Sequence, residues 1–87
     1  MKSVTIVRRL GVDPHTLPEG EKSMFLNGCP DIFELSDGNF AIIGKEATKE
    51  LLSKLPEDAG VSPGEVIITI PRFILANAKP DIPDYPQ

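Results

Sequence analysis

The chain has 87 residues, with 9 basic and 13 acidic side chains and a formal net charge of −4. A chain of this length has room for one hydrophobic core and little volume for a deep substrate cleft, which argues against an enzyme. The acidic excess repels phosphate backbones, so direct nucleic-acid binding is not expected.

The cellular compartment is predicted from cysteine content and hydropathy. The chain has one cysteine, which cannot form an internal disulfide and is typical of a reducing compartment. No window approaches the roughly twenty apolar residues of a membrane span. We therefore expect a cytoplasmic protein that does not associate with membranes.

The first predicted element is a β-strand over residues 4–10, where β-branched side chains alternate. This alternation puts Ile6, Arg8 and Leu10 on one face. Residues 11–30 contain prolines, glycines and charges, which predict mostly a loop. Long ordered loops in small domains are often functional.

A β-hairpin is predicted over residues 31–44. Two apolar runs flank Asp37 and Gly38, a dipeptide that supplies the positive φ angles of a tight hairpin turn. Alternation along the first strand points Glu34 into solvent, because it lies between the apolar residues Phe33 and Leu35.

The second half of the chain predicts one main helix and one further strand. Residues 45–55 place apolar side chains at helical spacing, and Pro56 ends the helix. Residues 65–70 are apolar on nearly both faces, which favours a central strand of the sheet.

The end of the chain predicts a short helix and a tail. Residues 73–78 form one or two helical turns started by Pro71. Residues 80–87 are rich in proline and are expected to be extended and flexible.

These elements predict an α+β fold with a small, mostly antiparallel sheet of about four strands and the 45–55 helix on one face. We expect a single domain over residues 1–79. Open sheet edges also favour a homodimer, because association stabilises a small sheet.

Acidic side chains concentrate in residues 13–37, where six carboxylates accompany one lysine. This excess predicts a negative surface that binds a protein partner with a basic surface. The candidate contact residues are Glu19, Glu21, Asp31, Glu34 and Asp37.

Cys29 and His15 are the sole cysteine and histidine of the chain. A catalytic thiol needs a base, and a zinc site needs three or four ligands, which this pair does not supply. We expect no catalytic residue, no cofactor and no metal. Cys29 is interpreted as a packed thiol, and His15 as part of a turn.

Residues 55–56 and 60–66 resemble the closing half of the swapped-hairpin transcription factors of the AbrB and MazE-antitoxin class. Those proteins pair a proline-led turn with a Gly-x-x-Pro-Gly-acidic turn and a final strand. Residues 57–59 are too short for the helix of that class. The resemblance implies a small DNA-binding dimer, and its basic arm would consist of Lys2, Arg8 and Arg9.

A second resemblance covers residues 23–44. Ser23, the Gly28-Cys29 dipeptide and the two hairpin strands are similar to the small acidic proteins encoded beside WhiJ-type helix-turn-helix regulators in actinomycetes. This chain lacks the tryptophan-bearing helix of those proteins. The resemblance implies a partner or antagonist of a regulator.

We therefore predict a small acidic, non-enzymatic interaction module that is an accessory to a regulator or to a larger enzyme. Two alternatives stay open at this point. One is a small DNA-binding, antitoxin-like dimer, and the other is a minor enzyme or metal binder that uses Cys29 and His15.

Overall fold

The computed structural model describes residues 3–11 and 30–85. The strands in this part of the chain are β1 (Ile6–Arg9), β2 (Asp31–Leu35), β3 (Phe40–Ile43), β4 (Lys45–Glu46) and β5 (Ile68–Thr69). The α-helices are α1 (Thr48–Leu51) and α2 (Arg72–Ala78). Each helix continues into a 3-10 turn, Leu52–Lys54 after α1 and Lys79–Asp81 after α2.

The strands form two antiparallel sheets instead of one. β1, β2 and β3 make a three-stranded sheet in that order, and β4 pairs with β5. The α+β class and the antiparallel pairing are confirmed. The central strand predicted over residues 65–70 is wrong, because only Ile68–Thr69 pairs, and it pairs with β4. A turn that closes on Glu65 and the missing N–H of Pro71 limit this strand at both ends.

The helix predicted over residues 45–55 is much shorter in the structure. Its first two residues pair with β5 as a strand, and α1 spans Thr48–Leu51 before a 3-10 turn. The Thr48 hydroxyl accepts the Ile67 N–H at 2.8 Å, which ties α1 to the chain before β5. Contacts with this distant segment therefore override the local helical pattern.

The core lies between α2 and one face of the three-stranded sheet. It consists of the buried apolar side chains Leu10, Ile32, Ile74 and Ala78. The predicted helix near residues 73–78 is present and begins at Arg72, directly after Pro71. Proline suits this position because the residue before a helix is extended, as Pro71 is, and its missing N–H would have no helical partner.

β1 is shorter than predicted and contains a β-bulge. Ile6 lies opposite Leu35, whereas Arg8 lies opposite Glu34, so the register shifts between them. Side chains that lie opposite each other share a face, and neighbours along β2 alternate. The bulge therefore puts Ile6 and Arg8 on different faces, and the single face predicted for them is wrong.

The predicted hairpin is confirmed, but its turn differs. The loop has three residues, 36–38, and is closed by a bond from the Leu35 N–H to the Asn39 carbonyl at 2.9 Å. Gly38 has a φ of +89°, and no non-glycine residue in the described part has a positive φ. Asp37 accepts the Asn39 N–H at 2.9 Å. One glycine is enough for this turn, because a type I turn followed by a left-handed residue joins the strands.

The residues after α2 return to the end of β1. The Asp81 Oδ2 accepts the Gly11 N–H at 2.8 Å, and the Asp81 carbonyl accepts a bond from Arg8 Nη2 at 2.7 Å. Gly11 has a φ of +80°, and a Cβ there would lie 3.0 Å from the Ala78 nitrogen. The extended tail predicted from residue 80 is therefore wrong at Asp81, which packs against the sheet.

Gly44 joins the two sheets, and its replacement by alanine is expected to destabilise the fold. A Cβ at this position would lie 2.6 Å from the Thr69 carbonyl oxygen, which is backbone and moves only with β5. We expect Gly44→Ala to lower the free energy of unfolding by about 1–3 kcal/mol. The matched variant is Gly60→Ala, where nothing lies within 4 Å of a Cβ. Urea denaturation measures both, and equal midpoints for the two variants would contradict the proposed clash.

Glu46 caps the start of α1, and its ionisation can be followed by NMR. Hydrogen bonds from the Thr48 side chain and from the Thr48 backbone N–H lower the pKa of this exposed carboxyl. The stabilisation is present above the ordinary glutamate pKa and is lost as the pH falls through the lowered folded-state pKa. The Thr48 amide shift should therefore titrate at a pH below that ordinary value. Thr48→Val should raise the midpoint and Thr48→Ser should keep it, and no difference between them would contradict the role of the hydroxyl.

Candidate protein-interaction surface

The face of β2 that points away from α2 carries an ion pair with a buried carboxylate and a partly exposed arginine. Arg9 Nε donates to Asp31 Oδ1 and Oδ2, both at 3.0 Å, and the guanidinium lies over the Phe33 ring at 5.5 Å. Asp31 is 5% exposed, and its Oδ1 also accepts the Ile32 N–H at 3.2 Å. Burying a carboxylate without a cation beside it costs several kcal/mol of free energy, so the burial of Asp31 depends on its ion pair with Arg9.

The face toward α2 carries a second ion pair. Arg8 Nε donates to Glu34 Oε1 at 2.8 Å, while its Nη2 binds the Asp81 carbonyl. Glu34 lies two residues from the buried Ile32 and shares its face, so the predicted orientation of Glu34 into solvent is wrong. The register explains the difference, because Arg8 lies directly opposite Glu34 and neutralises it beside the core.

The predicted acidic contact residues are partly engaged inside the chain. Asp31 and Glu34 are ion-paired, and Asp37 binds the backbone of its own turn. Glu19 and Glu21 lie outside the described residues. A contact between these carboxylates and a basic partner stays a prediction.

The structure describes only some of the residues on which the two alternative functions, the DNA-binding dimer and the enzyme or metal binder, depend. Arg8 and Arg9 of the DNA-binding arm both donate to carboxylates, so a phosphate would have to compete with these internal bonds. Lys2, Cys29 and His15 lie outside the described residues. Among residues 3–11 and 30–85, no three His, Cys, Asp or Glu side chains form a group that could hold a metal ion.

β3 presents an apolar edge, since no other described strand pairs with the side opposite β2. Three of its four residues are large and exposed: Phe40 at 42%, Ile42 at 44% and Ile43 at 53%. The strand carries no charge, no proline and no bulge. Proteins use charges, prolines and bulges to protect an edge from pairing with another chain, and β3 lacks all three.

The free backbone groups of β3 follow from its register. Leu35 and Asn39 form a hydrogen-bonded pair, and such pairs alternate along an antiparallel ladder. The polar groups of Ala41 and Ile43 therefore point toward β2. Phe40 and Ile42 direct their N–H and C=O groups outward, where they can bond to an added strand.

β1 forms the other outer strand and differs from β3 in its protection. Ile6 and Val7 are exposed, but the bulge interrupts the ladder between Ile6 and Arg8. Two arginines occupy the second half of the strand. Bulges and charges both discourage pairing, so β3 is the edge better suited to a partner.

Sequence reasoning predicts that exposed edge-strand backbone can pair with a partner, but it does not identify β3 as that edge. The identity of an edge depends on strand order, which local patterns do not fix. The available signal is the uncharged run over residues 40–43.

None of the helices in the described part is long and apolar enough to cross a membrane.

The pair of Asp31 and Arg9 should contribute more to stability than the pair of Glu34 and Arg8. The Asp31 side chain is 7% exposed and the Glu34 side chain 22%, while Arg9 is 35% exposed and Arg8 45%, so water screens the second pair more. We expect Asp31→Asn to lower the free energy of unfolding by about 1–3 kcal/mol and Glu34→Gln by about 1 kcal/mol or less. A urea-denaturation cycle that combines Asp31→Asn with Arg9→Met should show losses smaller than additive. Strict additivity would show that the two residues do not stabilise each other.

Comparison with known proteins does not assign a family or a function to this chain. No protein-family model matches the chain, and no curated protein or solved structure matches it. The resemblances to the AbrB and MazE class and to the WhiJ-associated proteins stay predictions.

Proposed function

We propose that this chain is a non-enzymatic interaction module that binds a protein partner through the outer edge of β3. The partner is a regulator or a larger enzyme for which this chain is an accessory. One observation carries the proposal. β3 combines exposed apolar side chains with backbone N–H and C=O groups that point outward and are not paired with another described strand. The partner contributes an extended segment that continues the antiparallel sheet.

The backbone and the side chains of β3 have separate tasks in this proposal. Phe40 and Ile42 each offer one backbone donor and one acceptor, which fix the register of the added strand. Their side chains lie on the face of the sheet that α2 partly covers, and both remain more than 40% exposed. An apolar side chain of the partner would cover them and supply most of the binding free energy.

The charge of the chain favours a basic partner. The net charge is −4, and the exposed Asp37 lies at the turn that leads into β3. Such charges mainly accelerate association, because they act before the surfaces touch. The association rate should therefore fall as salt is added, while the dissociation rate changes little.

A charged residue on the β3 edge should abolish partner binding, whereas the same change on the β1 edge should not. Ile42→Lys puts a solvated cation on the sheet face where a partner side chain would cover Phe40 and residue 42, and Val7→Lys is the matched control at another exposed aliphatic residue. The tagged 87-residue chain is used to capture partners from a low-salt extract of the source cells, and the captured protein is identified by mass spectrometry. Titration calorimetry with that purified protein should give an affinity at least about tenfold weaker for Ile42→Lys than for Val7→Lys.

Three outcomes would contradict the proposal. The first is equal binding by both variants with unchanged urea midpoints, which would place the partner elsewhere. The second is loss of binding by Val7→Lys alone, which would assign the contact to β1. The third is a dimer in sedimentation velocity that Ile42→Lys dissociates, because a second copy would then occupy the edge.

A further inference from the structure

The outer side of α2 lines an open groove that is separate from the β3 edge. Its volume is about 850 Å³. The apolar part of its lining comes from the helix and from the residues on either side of it: Ile70, Pro71, Leu75, Ala76 and Ile82. The inner side of the same helix carries Ile74 and Ala78, which are buried in the core. The helix is thus apolar on two sides, and only one of them is covered by the core.

Two cations line this groove on either side of Leu75 along the helix. Arg72 and Lys79 belong to its lining and are seven residues apart, which places them about 10 Å apart along one side of the helical segment. Neither makes an ion pair with a carboxylate in the described part of the chain, although Arg8 and Arg9 are both paired there. Leu75 lies between the two cations and is 52% exposed.

We propose that this groove binds a segment of a second protein that is apolar in its middle and carries carboxylates at both ends. The apolar side chains of the segment cover Leu75 and its neighbours. The terminal carboxylates pair with Arg72 and Lys79, which the fold leaves without acidic partners in its described part. The inference does not depend on the β3 edge, because none of the groove residues belongs to β3.

The number of cations in the groove also favours an acidic peptide over an anionic membrane as its occupant. Segments that bind anionic lipids carry clusters of roughly 4–8 basic residues, whereas the groove has two cations on a chain of net charge −4. Two separated cations complement two carboxylate positions on a peptide. A partner protein therefore fits the groove better than a lipid surface does.

The test is a selection of random twelve-residue peptides on phage against the full chain, followed by fluorescence anisotropy of the best peptide. We expect the selected peptides to share a short apolar run with Asp or Glu on both sides. Leu75→Ser and the double variant Arg72→Glu with Lys79→Glu should each weaken binding by about tenfold or more. Replacing the acidic residues of the peptide with lysine should restore binding to the charge-reversed chain.

The chain offers matched controls for both kinds of change. Leu52 is 50% exposed on the 3-10 turn after α1, so Leu52→Ser removes an equally exposed leucine outside the groove. Lys49→Glu with Lys54→Glu changes the net charge by the same amount as the groove variant. All three controls, including Ile42→Lys on the β3 edge, should retain peptide affinity.

Several results would overturn the inference. One is a selection without acidic enrichment, and another is equal loss of affinity in the groove variants and their controls. A third is binding to vesicles of phosphatidylcholine and phosphatidylserine that depends on Arg72 and Lys79 when no peptide binds. Loss of peptide binding in Ile42→Lys alone would place the peptide on β3 instead of the groove.

Discussion

The packing of α2 against β2 is the contact on which the other features of this fold depend. Ile74 and Ala78 of the helix meet Ile32 and Leu10, and full burial of a large aliphatic side chain contributes about 1.5–3 kcal/mol. A core of this size leaves a small margin of stability, so polar contacts at its border matter. The Arg8 contacts lie at this border, and they tie β1 to the 3-10 turn that follows α2.

The distribution of charge in the folded chain differs from the distribution along the sequence. The acidic stretch before and within the hairpin suggests a negative contact surface, yet Asp31 and Glu34 are matched by arginines from β1. Arg72 and Lys79 lie beside the apolar outer side of α2 and form no ion pair with a carboxylate among the described residues. In the folded chain, the surfaces that remain open to contact are therefore the uncharged edge of β3 and the outer side of α2, whereas two of the charged residues of the hairpin are paired within the chain.

Local signals predicted the hairpin and the fold class, because a glycine turn between two apolar runs acts within a few residues. The 45–55 helix was predicted too long, since the pairing of β4 with β5 is a contact across more than twenty residues. The Arg8–Glu34 pair was not predictable either, because it depends on a bulge that shifts the register of β1. The exposed edge of β3 depends on strand order, which sequence patterns leave open.

The hydrogen bonds that Arg8 and Gly11 donate to Asp81 have a consequence for synthesis on the ribosome. Arg8 and Asp81 are separated by 73 positions, so the N-terminal strand lacks these partners until residue 81 has left the exit tunnel. The buried side chains Ile74 and Ala78 also emerge late. The apolar strands made earlier therefore stay exposed until these later residues emerge. A chain in this state is prone to aggregation and is suited to chaperone binding.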